Sequence, residues 1–107
     1  MNLPVDLRFI GMLSSESAEA AALHGISTLD AVHGEVRGWK VSMEPPQFTV
    51  GYPAYAVQVQ AELQEGALVA TRAHGVDLVA AVRDAFEGME QLLVRRSAPA
   101  AFTAYGR

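Results

Sequence analysis

Hydrophobic and polar residues follow two different periods along this chain, and each period marks its own segments. In four segments apolar residues recur at every second position, which predicts half-buried β-strands over residues 3–9, 35–44, 54–63 and 67–73. In two longer segments they recur every three or four positions, which predicts amphipathic helices over residues 14–34 and 77–96. The predicted order of elements is therefore β-α-β-β-β-α.

The first predicted helix has signals at both ends and a glycine in its interior. Either Ser14 or Ser15 can cap its N-terminus, and Gly34 fits the cap position at its C-terminus. Gly25 lies inside the helix, where glycine costs about 1 kcal/mol relative to alanine, so we expect a kink or a close packing contact there. The apolar stripe comprises Ala22, Leu23, Ile26, Leu29 and either Val32 or His33.

Proline and glycine separate the remaining elements. Three prolines and one glycine within residues 45–53 predict a loop after the second strand. The sequence QEG at residues 64–66 predicts a short hairpin connection between the third and fourth strands. In the second helix Gly88 is expected on the outer side, and the apolar stripe comprises Val79, Val82, Phe86, Met89 and Leu93.

These elements specify one topology. A right-handed crossover places the first two strands parallel and adjacent, and the other strands continue as an antiparallel meander. Each strand has a single apolar face, so both helices must cover the same face of a four-stranded sheet. We therefore predict one α+β domain over residues 1–96 and a C-terminal tail over residues 97–107. The uncovered face of the sheet carries Arg8, Lys40, Gln58, Gln60, Glu62 and Arg72.

Composition predicts a cytoplasmic protein and argues against several kinds of partner. The chain contains no cysteine, which excludes disulfides, thiolate zinc sites and a cysteine nucleophile and suits a reducing compartment. No signal peptide is recognisable, and no apolar run reaches the roughly 20 residues of a membrane span, so no membrane partner is expected. The formal net charge of −4 counts against a general nucleic-acid binder. DNA is therefore not expected as a partner.

No pattern in the sequence indicates catalysis, a metal or a cofactor. His24, His33 and His74 each precede a glycine, but they fall within a helix, at its end and in a strand-to-helix turn. Nothing brings them together as metal ligands, and cap or turn roles account for them. The motifs of serine nucleophiles, zinc proteases, phosphate-binding loops and dinucleotide-binding domains are absent. We therefore expect a protein that is not an enzyme and binds no metal or cofactor.

Basic side chains are the remaining candidate for a binding site. Cations at a helix end are favoured by the helix dipole alone, and isolated strand arginines are commonly just solvated. Arginine is, however, the better ligand for phosphate oxygens, and seven of the eight basic residues are arginine. The candidate RNA-binding residues are Lys40, Arg72, Arg83, Arg95 and Arg96.

The segment VATRAHGVDLVAAVRD, residues 69–84, resembles the ribosome hibernation-promoting factor and protein Y family of ribosome-associated translation inhibitors. In that family the fourth strand ends in alternating small residues, and a Gly-x-Asp turn leads into the last helix. The segment EQLLVRR, residues 90–96, resembles the basic ending of that helix. The predicted order of elements also matches the family. The residues in matching positions are Gly75, Asp77, Leu78, Ala80, Ala81, Val82, Gln91, Leu92, Arg95 and Arg96.

The resemblance implies a function. Family members bind ribosomal RNA of the small subunit, in the channel that holds mRNA and tRNA, and they block translation during stress or stationary phase. Arg95 and Arg96 occupy basic family positions, and Lys40, Arg72 and Arg83 are plausible neighbours of these two arginines. We therefore expect a short, single-domain form of a ribosome hibernation factor, in which Arg72, Arg83, Arg95 and Arg96 form one exposed patch.

A second hypothesis remains open because the sequence departs from the family pattern. The first helix carries Glu16, Glu19 and Asp30 and no cation, whereas family first helices are usually rich in lysine. Val79 replaces the usual aromatic residue, and Arg83 replaces the usual acid. An acidic first helix repels ribosomal RNA. The alternative is a diverged member that acts as a protein-interaction or homodimerisation module, through an exposed edge strand or the polar sheet face.

Overall fold

The computed structural model describes residues 4–47 and 53–97, and its elements follow the predicted order. Their bounds are Val5–Phe9 for β1, Glu16–Val32 for α1, Val36–Gln47 for β2, Ala54–Leu63 for β3, Leu68–Gly75 for β4 and Leu78–Ser97 for α2. The predicted tail overlaps α2 at Ser97, and the rest of it, residues 98–107, lies outside the described residues.

The four strands form one sheet in the order β1-β2-β3-β4. Strands β1 and β2 pair in parallel, with Val5 opposite Trp39 and Phe9 opposite Met43. The β2–β3 and β3–β4 pairs are antiparallel. Parallel neighbours need a crossover connection, and α1 provides it. The α+β fold with one parallel and two antiparallel pairs, as predicted from the sequence, is confirmed.

Both helices cover one face of the sheet. The indole N–H of Trp39 on β2 donates to Oδ1 of Asp30 on α1 over 3.0 Å. The hydroxyl of Thr71 on β4 donates to the carbonyl of Ala85 on α2 over 2.9 Å. Apolar side chains of both helices and of the inward strand positions form the buried core. Removal of this apolar surface from water is the main force that holds the helices against the sheet.

The residues that cap the two ends of α1 agree only in part with the predicted ones. Ser15, and not Ser14, caps the N-terminus, since its hydroxyl accepts the backbone N–H of Ala18 over 3.2 Å. The C-terminal cap is His33, whose backbone N–H donates to the carbonyl of Leu29 over 2.7 Å. The prediction of Gly34 as the cap is therefore wrong. Gly34 does not have a positive φ, so the turn after α1 does not require glycine.

The buried stripe of α1 differs from the predicted one at Leu23, which is exposed over 45% of its surface, so its place in the stripe is wrong. Of the two residues predicted as alternatives at the end of the stripe, His33 is buried and Val32 is exposed. The buried stripe comprises Ala18, Ala22, Ile26, Leu29 and His33.

Strand β2 continues through two prolines that were predicted to begin a loop. Pro45 and Pro46 lie within β2, which ends at Gln47. The register of the β2–β3 pair shifts between Glu44 and Gln47, which marks a bulge or irregularity. Proline lacks the N–H that a regular ladder needs, and strands accept it at such irregularities. The predicted strand end at residue 44 is therefore wrong.

The β3–β4 hairpin confirms the short connection predicted at residues 64–66. The backbone N–H of Leu63 donates to the carbonyl of Ala67 over 2.8 Å and closes the loop. Gly66 has a φ of +93°, a conformation that glycine adopts without the steric cost of a Cβ. A three-residue loop with glycine in the left-handed position is a common hairpin connection.

Helix α2 begins directly after the predicted turn, and its glycine faces inward. The carboxylate of Asp77 accepts the backbone N–H of Ala80 over 3.3 Å, so Asp77 caps the helix. A Cβ on Gly88 would lie 3.5 Å from the methyl group of Thr71 on β4, so the prediction that Gly88 is on the outer side is wrong. Within residues 4–47 and 53–97, neither helix combines the length and hydrophobicity needed to cross a bilayer.

Candidate nucleic-acid interface

The face of the sheet opposite the helices, here called the open sheet face, is polar as predicted. Its side chains form rows across the strands. One row runs from Arg8 on β1 to Arg72 on β4, and the next runs from Asp6 to Ala70. Among the described residues, this face carries the cations Arg8, Lys40 and Arg72 and the carboxylates Asp6, Glu44 and Glu62.

Lys40 lies beside an ion pair on the open sheet face. It is opposite Asp6 in the β1–β2 register, and Asp6 accepts the Nε–H of Arg8 over 3.0 Å. This hydrogen bond, together with the positive charges of Arg8 and Lys40, holds the pKa of the Asp6 carboxyl below its ordinary value. The same hydrogen bond raises the pKa of Arg8. Arg8 is thus engaged by its own strand, whereas Lys40 forms no ion pair within the described residues.

Arg72 projects from β4 onto the same face. Its guanidinium donates to the side-chain oxygen of Gln58, its register partner on β3, over 3.3 Å. A guanidinium has five N–H donors, so this single contact leaves donors for phosphate oxygens. Lys40 and Arg72 therefore share one exposed face.

Arg83 lies in the helix layer instead. It is exposed on α2 and lines a groove between α1 and α2, together with Glu87 and Glu90. The sheet separates this groove from the side chain of Arg72, because α2 packs on the opposite side of β4 through Thr71. Arg83 and Arg72 therefore cannot face the same flat surface.

The two arginines at the end of α2 have different surroundings. Nη2 of Arg96 donates to Oε2 of Glu65 in the β3–β4 hairpin over 2.6 Å. Both side chains are substantially exposed, so this pair contributes at most about 1 kcal/mol. Arg95 is exposed and forms no ion pair within the described part of the chain. Both cations lie in the last turn, where the helix dipole favours positive charge.

The five candidate RNA-binding residues therefore occupy three places rather than one. The prediction that Arg72, Arg83, Arg95 and Arg96 form one continuous patch is wrong, because alternate residues of a strand point to opposite faces and Arg72 points away from the helices. The candidates on the open sheet face are Lys40 and Arg72. Their contact with RNA, like that of the three helix arginines, stays a prediction.

The three histidines also occupy separate places. His24 is exposed beside the groove, and His74 is exposed at the end of β4. His33 is buried at the end of α1, with Nδ1 3.7 Å from Oε2 of Glu35. Among residues 4–47 and 53–97, no three histidine, cysteine, aspartate or glutamate side chains are grouped so that they could hold a metal ion.

The groove between the helices was not predicted from the sequence. Its α1 wall is built from small residues at positions three or four apart, namely Ser17, Ala21, Gly25 and Thr28. That spacing marks one side of a helix, so the sequence does carry a signal for this wall.

No protein-family model and no curated protein sequence matches this chain. Solved structures do match it. A ribosomal subunit interface protein from Coxiella burnetii gives a TM-score of 0.75 at 12% sequence identity, over 90% of this chain and 99% of that one. The N-terminal domain of Thermus thermophilus protein Y gives 0.67 at 21% identity, over 89% and 98%.

This chain has the fold of those two proteins. The fold implied by its resemblance to the hibernation-promoting factor and protein Y family is therefore confirmed. At identities of 12% and 21% the similarity concerns the fold. Function is a separate question, because one fold hosts many functions.

Proposed function

We propose that this protein is a non-catalytic, ribosome-associated factor of the cytoplasm. It binds ribosomal RNA of the small subunit and inhibits translation under stress. The observation that carries the proposal is the match in fold, over almost the whole of each chain, to a ribosomal subunit interface protein and a protein Y domain. We assign the activity to a domain over residues 1–96, with residues 97–107 as a tail.

The separation of the basic residues is compatible with a partner that encloses the domain. A factor bound inside the channel for mRNA and tRNA would meet RNA on more than one side. Lys40 and Arg72 on the open sheet face and Arg95 at the end of α2 then meet different phosphates. Each such contact adds affinity that does not depend on RNA sequence.

The acidic residues of α1 suggest an orientation for the bound domain. Glu16 and Glu19 lie in the first turn of α1 and are exposed. Like charges placed opposite each other weaken binding, so this part of the helix layer turns away from RNA. The open sheet face and the end of α2 turn toward it.

A second candidate function is a protein-interaction or homodimerisation module that does not bind ribosomes. It is favoured by β4, which pairs only with β3 and so forms an edge of the sheet described here. At the start of β4, Leu68 is exposed over 61% of its surface. Open edges are templates for a further strand.

Cosedimentation with ribosomes separates the two functions. The purified full chain is layered with ribosomes on a sucrose gradient at low and high salt. The proposal expects the protein in the small-subunit or whole-ribosome fractions at low salt and at the top of the gradient at high salt. A protein that stays at the top at both salt concentrations, and elutes as a dimer in size-exclusion chromatography with light scattering, contradicts the proposal and supports the alternative.

Two matched variants test whether the end of α2 contacts the RNA. Arg95→Gln combined with Arg96→Gln lowers the net charge by two, and we expect it to weaken cosedimentation by about tenfold, as the loss of two phosphate contacts does. Ser27→Glu combined with Ala31→Glu lowers the net charge by the same amount at exposed positions of α1. That control should bind as the unchanged protein does. Equal losses of cosedimentation in the two double variants would show that ribosome binding depends on net charge and not on contacts at the end of α2.

A further inference from the structure

A groove of about 710 Å³ runs between α1 and α2 on the outer side of the helix layer. The two helices point in the same direction, because α1 follows β1, α2 follows β4, and these strands are parallel in the sheet. The lining runs from Ser17 to Leu29 on α1 and from Val79 to Glu90 on α2. The groove is therefore an open channel along two parallel helices.

The floor of the groove is apolar and shallow. Gly25 leaves room for the ring of Phe86, which lies so close that a Cβ on Gly25 would be 2.6 Å from Cγ of Phe86. Ala20 and Ala21 keep the α1 wall low. Small side chains of this kind let the backbone of another helix approach closely.

The α2 rim of the groove is acidic. Glu87 and Glu90 are exposed on that side. On the α1 side the described lining residues include His24 and no carboxylate. Arg83 is the one Lys or Arg among the described lining residues, and it lies one helical turn from Glu87. Carboxylates thus outnumber guanidinium groups around the groove.

We propose that this groove is a docking site for a basic amphipathic helix of another protein. A narrow apolar stripe at i, i+4 and i+7 would lie on the floor, and Lys or Arg on its flank would face Glu87 and Glu90. This is the recognition mode in which an amphipathic helix lies in a groove. RNA or an acidic helix would each set like charges against Glu87 and Glu90.

The dimensions of the groove fit such a helix. From Ser17 to Thr28 the α1 wall is about 16 Å long at 1.5 Å per residue, the length of three helical turns. The groove lies on the opposite side of the domain from the open sheet face. The inference therefore does not rest on the proposed ribosomal function.

Calorimetric titration of the full chain with designed peptides tests the proposal. The probe is a helical peptide of about 14 residues, or four turns, with leucine at the stripe positions and lysine elsewhere. One comparison peptide has glutamate in place of lysine, and another has the same composition with the leucines scrambled. The proposal expects binding of the first peptide alone. Equal binding of the scrambled peptide, or no binding of the first, overturns it.

Charge-matched variants locate the binding site. Glu87→Lys combined with Glu90→Lys should weaken binding of the basic peptide by about tenfold. Glu44→Lys combined with Glu62→Lys changes the net charge equally on the open sheet face and should alter binding by less than about twofold. Equal losses in the two double variants would overturn the assignment to the groove.

A variant without any charge change completes the test. Ala21→Leu places a larger side chain in the groove with a residue that is also a good helix former. We expect about tenfold weaker peptide binding, because the added side chain occupies the floor. Its melting temperature, followed by circular dichroism, shows whether the fold is retained. A folded Ala21→Leu variant that binds the peptide as strongly as the unchanged protein contradicts the proposal.

Discussion

The ring of Phe86 on α2 packs directly against Gly25 on α1. A Cβ on Gly25 would lie 2.6, 2.8 and 2.9 Å from three atoms of that ring. The ring also contacts Trp39 on β2, with the two ring centroids 6.1 Å apart, and it is buried. Gly25 therefore allows the two helices to approach each other, which explains the presence of glycine inside a helix where it is otherwise unfavourable.

We predict that Gly25→Ala lowers the free energy of unfolding. Overpacking against a buried ring costs about 1–3 kcal/mol, while the gain in helix propensity offsets about 1 kcal/mol. The expected net loss is therefore about 1 kcal/mol, measured by urea denaturation. Gly34→Ala is the control, because nothing lies within 4 Å of a Cβ at that position. If both variants are as stable as the unchanged protein, the helices can move apart without cost.

The bond between Trp39 and Asp30 gives a second prediction. The indole N–H of Trp39 donates to Asp30 Oδ1 over 3.0 Å, and Trp39 is buried. Asp30→Ala leaves this donor without its acceptor and should cost about 1–3 kcal/mol. Asp30→Asn removes the same charge but keeps an acceptor oxygen, so it should cost less. Trp39 is the one tryptophan in the chain, so its fluorescence reports both unfolding transitions. Equal stability losses in the two variants would contradict the role of the hydrogen bond.

The Asp6–Arg8 pair gives a prediction about pH. The hydrogen bond from Arg8 lowers the pKa of the Asp6 carboxyl in the folded state. Because the pKa of Asp6 is lower in the folded state, the ion pair stabilises the folded protein at pH values above the ordinary pKa of aspartate, about 3.9. This stabilisation is lost as the pH falls through the pKa of Asp6 in the folded state. NMR titration of the Asp6 carboxyl should show a midpoint below the ordinary value. Arg8→Gln should move that midpoint upward, and an unchanged midpoint would contradict the assigned cause.

The salt dependence of ribosome binding follows from the number of available cations. Three of the candidate residues lie on the surfaces proposed to face RNA and form no ion pair within the described residues, namely Lys40, Arg72 and Arg95. If all three contact phosphates, log K should fall with log salt at a slope of about −2.5, or roughly thirtyfold between 50 and 200 mM salt. Fluorescence titration of labelled protein with small subunits measures the slope. A slope near zero would contradict phosphate contact by these residues.

The sequence by itself determined the order of elements and the side of each strand that faces the core. Alternation in β3 and β4 predicted that Val59 and Thr71 face inward and that Gln58 and Arg72 face outward, and this is confirmed. The physical reason is local: a strand exposes every second side chain to one face, so the pattern of apolar residues specifies that face. The hairpin at Gly66 was predictable for the same reason, since its turn depends on neighbouring residues alone.

Only the tertiary structure decided which surfaces of the helices and strands contact one another. The exposure of Leu23 and the inward position of Gly88 depend on which side of each helix packs against the rest of the domain. The separation of Arg72 from Arg83 and the pairing of Arg96 with Glu65 depend on residues distant in sequence. The groove whose floor is the contact of Gly25 with Phe86 exists because two helices meet there. The hydrophobic periodicity of a segment predicts which of its side chains are buried. Which residues those side chains contact is decided only when the helices and strands pack together.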